Sequence, residues 1–185
     1  FLKNGQTGFC SGIASILCWH FDGYNGENRG YKENANTSTT VKWYTLHAEY
    51  ALKDRDYDQA AAAYCNSSIR LTKDDRFDEA EKYSVKAEKA DDLSTTHRWS
   101  ENIMRSFIDL YSASHDNENL LGYEERLKSK NDPERLLNFY EWMWYEEMES
   151  MEMHQRGAWQ LNPGPWTVKR DKLWKELNPK EAETK

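Results

Sequence analysis

Between Val41 and Gln155 small and apolar residues recur at helical spacing, and nowhere does the chain alternate apolar with polar residues as a half-buried strand would. Residues 41–53 and 57–71 carry this spacing, and the run Ala60, Ala61, Ala62, Ala63 adds strong helix propensity. A third helix is expected over 77–90, with Asp74 or Asp75 as its cap. A fourth is expected to start at Asp91, Asp92 and Ser94 and to run through Trp99, Ile103, Phe107 and Leu110 to about Ser114. A short helix over 120–128 follows. Asn131-Asp132-Pro133-Glu134 then announces a last long helix reaching Gln155, because proline suits the first helical position and acids suit the first turn. The expected fold class is all-α, helical hairpins or a bundle. Residues 1–40 form a short helix and a loop rich in Gly, Asn and Thr, residues 41–156 the helical domain, and residues 157–185 an extended docking arm.

That arm shows where composition matters. Pro163, Gly164 and Pro165 interrupt any continuous helix there, yet Trp159, Trp166 and Trp174 lie along it. A solvated tail has little use for three indoles, so the arm is expected to lie on a surface and plug aromatics into it. Just upstream, Trp142, Met143, Trp144, Tyr145, Met148, Met151 and Met153 are too many apolar residues for one narrow stripe, which points to burial on several sides. The chain is 31% charged and only 38% hydrophobic, but 14% of its residues are aromatic, so apolar burial must be concentrated in Trp, Tyr and Phe. A net charge of -7 argues against nucleic acid or an anionic membrane as the main partner. Acidic neighbours dilute the basic cluster Lys169, Arg170, Lys172 and Lys175.

Chemistry is harder to find. Cys10 lies in Gln6-Thr7-Gly8-Phe9-Cys10-Ser11-Gly12, where a helix N-terminus would favour the thiolate. The segment is loosely similar to the nucleophile region of papain-like peptidases, but Ser11-Gly12 breaks the usual order, and a packed thiol is the favoured reading. Glu141, Glu146, Glu147, Glu149 and Glu152 precede His154 without forming the Glu-x-x-His spacing of helix-borne metal sites, so a solvated acidic face is favoured. Neither a phosphate-binding glycine loop nor a Cys-x-x-Cys pair is present. The expectation is a chain that is not an enzyme and holds no cofactor or metal.

Cys10, Cys18 and Cys65 allow one disulfide at most, and Asn36-Thr37-Ser38 and Asn66-Ser67-Ser68 fit the glycosylation sequon. The stretch from Phe9 to Phe21 falls short of the roughly 20 apolar residues of a membrane span. It is read as an amphipathic or buried helix that brings membrane proximity.

Two resemblances bear on function. Residues 43–71 resemble one tetratricopeptide unit, with Tyr44, Ala48 and Ala51 on a first helix and Tyr57, Ala60 and Tyr64 on a second. The echo Phe77-Asp78-Glu79-Ala80 comes 20 residues after Tyr57-Asp58-Gln59-Ala60, whereas that family repeats at roughly 34. From Asp132 onward, Asp132-x-Glu134, Met153-His154-x-Arg156-Gly157, Gly164-Pro165-Trp166 and Asp171-Lys172 followed by Glu176-Leu177 and Pro179-Lys180 resemble the C-terminal region of the SGDH accessory subunit of mitochondrial respiratory complex I. This resemblance implies a charged helix leading into an arm that packs on neighbouring subunits, at the mitochondrial inner membrane. The expected function is a non-catalytic structural subunit of a multiprotein assembly, with Trp142, Trp144, Trp159, Trp166 and Trp174 touching other protein subunits. The alternatives are a free-standing helical adaptor binding peptide through Tyr44 or Tyr57, a thiol hydrolase using Cys10, and a secreted glycoprotein.

Overall fold

The protein is all-α. A computed structural model describes residues 36–149 and 164–179, together with Gly12, Ile13 and Leu17. These contain seven helices: α1 Thr37–Lys53, α2 Tyr57–Lys73, α3 Phe77–Leu93, α4 Ser100–Ala113, α5 Asn117–Ser129, α6 Pro133–Glu149 and α7 Pro165–Leu177. No strand occurs among the described residues. Two compact units divide the chain between Asp116 and Asn117, inside the stretch 41–156 read as one helical domain.

In the first unit α2 packs against α1, α3 and α4. A helix touched from three sides needs small residues where its neighbours come close, and Ala60, Ala61 and Ala63 are at most 1% exposed. Ala48, Ala51, Ala80 and Ala87 supply the facing small positions, while Ile103, Met104, Phe107 and Leu110 of α4 fill the wider space. Three serine hydroxyls buried in the same seam are paired. Ser68 Oγ lies 2.6 Å from Ser84 Oγ, which lies 3.1 Å from Ser106 Oγ, and Ser106 donates to the Ile103 carbonyl at 2.7 Å. This chain of hydroxyls links α2, α3 and α4 and leaves none of the three unpaired.

Four helix ends share one turn. Arg55, Asp75, His115 and Asn131 adopt left-handed backbone with φ of 59°, 56°, 55° and 52°. The next amide reaches back to close the helix in three of them: Asp56 to Ala51, Arg76 to Leu71 and Asp116 to Tyr111, each at 2.9 Å. A capping residue then opens the following helix. Asp56 accepts from the Gln59 amide at 3.1 Å, and Asp132 from the Arg135 amide at 3.0 Å. Pro133 opens α6, as its neighbourhood announced.

Three expectations need correction. Neither Asp74 nor Asp75 caps α3, because both are used in the turn; Arg76 holds that position and instead clamps Glu79 with two hydrogen bonds of 2.8 Å. The fourth helix begins at Ser100, since residues 94–99 form a turn in which His97 is left-handed. Finally, residues 165–177 are not extended. Pro165 takes the first position of α7, where its missing amide hydrogen costs nothing, and Gly164 precedes it as the N-cap.

Candidate functional site

The second unit holds most of the indoles singled out above. Its α5 and α6 form a hairpin, and α7 packs against α6. Phe139, fully buried, meets Tyr123 edge-on at 5.8 Å, Tyr140 at 5.8 Å and Trp166 of α7 edge-on at 5.7 Å. Trp166 is also 6.2 Å from Tyr140. Such tilted and edge-to-face pairs are favoured by the ring quadrupoles. The hairpin thus presents an aromatic seat, and Trp166 occupies it.

Charge closes this seat. Glu124 on α5 is 1% exposed, and its two carboxylate oxygens have different partners. Oε1 accepts from the Tyr140 hydroxyl at 2.8 Å and faces Lys128 Nζ at 2.9 Å. Oε2 accepts from Lys169 Nζ of α7 at 2.7 Å. Burial pushes the Glu124 carboxyl up, but hydrogen bonds from Lys169, Lys128 and Tyr140 together outweigh it and hold the group below the usual carboxylate value. Burial and the bond to Glu124 push Tyr140 up, while Glu125 and Glu124 raise Lys128.

Lys169 Nζ also stands 4.2 Å from the centre of the Trp166 ring. From the next residue, the Arg170 guanidinium lies 4.3 Å from the Trp144 ring centre. Both are cation–π contacts that exploit the negative ring face. At the start of α7 the Glu147 carboxylate accepts from Thr167 Oγ1 at 3.3 Å and lies where a Cβ on Gly164 would fall. An acid at a helix N-terminus compensates the unpaired amides there.

The expected docking residues therefore divide. Trp166 and Trp144 face into their own unit. Trp142 and Tyr145 meet edge-on at 6.1 Å on α6, with Tyr145 exposed. Trp174 is half-buried on α7, and its carbonyl accepts from Asn178 Nδ2 at 3.0 Å. Trp159 lies outside the described residues, as do Cys10 and Cys18 and all of 9–21 except Gly12, Ile13 and Leu17. Sequence reasoning missed Glu124; its signal was an acid flanked by Lys128 four residues on, which looks like an ordinary surface pair.

The first unit places the other candidates. Tyr44 is a core residue, 5% exposed, whereas Tyr57 lines an open recess of about 250 Å³ with Arg55, Asp58, Leu93 and Thr95. In that recess Asp58 is held down by hydrogen bonds from Ser94 at 2.7 Å and Thr96 at 2.8 Å. Cys65 is fully buried, donates to the Asn102 carbonyl at 3.5 Å and is pushed up to about 12 by that burial, far from nucleophilic use. Asn36 is exposed and caps α1 through the Thr39 amide at 3.0 Å. Among the described residues no helix is long and apolar enough to cross a membrane, and no group of three metal-ligating side chains forms. Comparison with protein-family models, with curated proteins and with solved structures gave no match.

Proposed function

We propose that this chain is a non-catalytic structural subunit of a multiprotein assembly, and that its second unit contacts the neighbouring subunits. The observation that carries this reading is the outer surface of that unit. Leu121 of α5 is 49% exposed, and Val168 and Leu177 of α7 are 55% and 38% exposed, although the same helices bury a charged clamp inward. Exposed apolar side chains on both helices suit a surface that another protein covers. The C-terminal resemblance supports a mitochondrial respiratory-chain complex at the inner membrane as the assembly.

The test is the native mass of the protein in a gentle detergent extract of its source, with identification of the chains that co-migrate. Co-migration with a large respiratory assembly is expected, and it should be lost in the Val168→Glu, Leu177→Glu double variant with helicity unchanged. Migration alone, near 21.9 kDa, would overturn the reading. A second reading, a helical adaptor binding peptide at the first unit, draws support from the recess beside Tyr57. It expects a stable monomer whose peptide binding fails in Tyr57→Ala.

A further inference from the structure

The two oxygens of Glu124 serve different structures. Oε1 belongs to the α5–α6 hairpin, where Tyr140 and Lys128 reach it, and Oε2 belongs to α7 through Lys169. If α7 leaves, Oε1 keeps both partners and Oε2 turns to water, so the carboxylate is not orphaned. That is unusual for a buried charge, whose remaining partner normally becomes costly. The helix is also lightly held by apolar burial, because Thr167 alone among its residues is buried. Its grip includes the Glu124–Lys169 pair, the rings around Trp166, the Arg170–Trp144 contact and the Glu147 carboxylate at its N-terminus. Elements with few buried apolar contacts open at lower free energy than the core around them.

We infer that α7 is a reversible strap, docked on its own hairpin by the Oε2 side of Glu124, and that docking withholds Trp166 from any partner until the strap lifts. The inference rests on the subunit reading for its purpose, but not for its geometry. In the docked state Trp166 fills the seat beside Phe139 and Tyr140; in the lifted state the indole is free to enter another chain, and the hairpin keeps its Tyr140–Glu124–Lys128 brace.

Amide hydrogen exchange on the full chain at neutral pH tests this, comparing the natural sequence with Glu124→Gln and Lys169→Met. Glutamine keeps an oxygen for the hairpin and turns its amide towards Lys169, whereas methionine removes the ammonium and keeps an apolar stem over Trp166. Amides of residues 168–177 should exchange about tenfold to a hundredfold faster in both variants, as loss of a charged hydrogen bond implies, while α5 and α6 keep their rates. If Lys169→Met leaves those amides unchanged, the pair does not hold the strap. If α5 and α6 lose protection together with α7, the helix is part of one core and the inference fails. Co-migration with an assembly is read separately, so failure of the subunit reading would not alter this result, nor this result that reading.

Discussion

Asp91 does from a distance what a helix cap usually does from the adjoining residue. It sits near the end of α3, wholly buried, yet its carboxylate takes the Trp99 amide at 3.3 Å and the Ser100 hydroxyl, fixing the start of α4 across a turn. His97 Nδ1 bonds the Asp91 carbonyl at 2.9 Å and braces the same turn. Asp91→Ala should therefore cost about 2–3 kcal/mol, the worth of hydrogen bonds to a buried charge, measured as a lower urea midpoint. The opposite sign is expected at Arg55, which is left-handed at φ 59° and exposed. Glycine accepts that backbone without a Cβ clash, so Arg55→Gly should stabilise by roughly 0.5–1 kcal/mol in the same titration. Sequence reasoning saw Asp91 as a helix start because Asp-Asp before Ser is a common capping pattern. What it lacked was the turn at His97, which carries the cap function eight residues onward.

At the scale of elements, most helices were legible and their ends were less so. The spacing of Ala48, Ala51, Ala60, Ala80 and Ala87 marks contact faces wherever it falls, since only small residues let helices approach closely. The turns were not legible as a set, because Arg55, Asp75, His115 and Asn131 share a backbone geometry and no side-chain type. The helical state of residues 165–177 was hidden by Pro163 and Pro165, which were read as breakers although the second is an initiator. Attachment of α7 should depend on acid. Glu124 is lowered in the folded state, so its stabilisation is complete above the ordinary glutamate value of about 4.3 and is lost as pH falls through the folded value. The groups facing it are Lys128 on α5, Tyr140 on α6 and Lys169 on α7. Exchange protection of α7 should therefore fall as pH drops below the ordinary glutamate value, before that of α6 does, and the fall should be smaller in Lys169→Met.

For the whole molecule, the division after Asp116 gives each unit its own core: alanines with α4 in the first, aromatics with a charged clamp in the second. Truncation after Gly157 should leave the exchange protection and the thermal transition of α1–α4 unchanged. It should uncover Tyr140 and the Oε2 side of Glu124 to solvent, while the amides of α5 and α6 keep their protection. A first unit that melts with the truncation would show that the two cores are one cooperative body.

By itself the sequence determined the all-α class, the α6 start at Pro133 and the importance of the aromatics, because periodicity, caps and side-chain size are local properties that any fold must respect. It also supplied the candidate indoles, but not which way they face. Only the tertiary structure decided that Trp166 and Trp144 turn inward, that Tyr44 is core while Tyr57 lines a recess, and that Glu124 joins three helices. Those outcomes depend on which residues distant in the chain come within a few ångströms. Lys169 lies 45 positions from Glu124, and no spacing rule within a helix reaches that far.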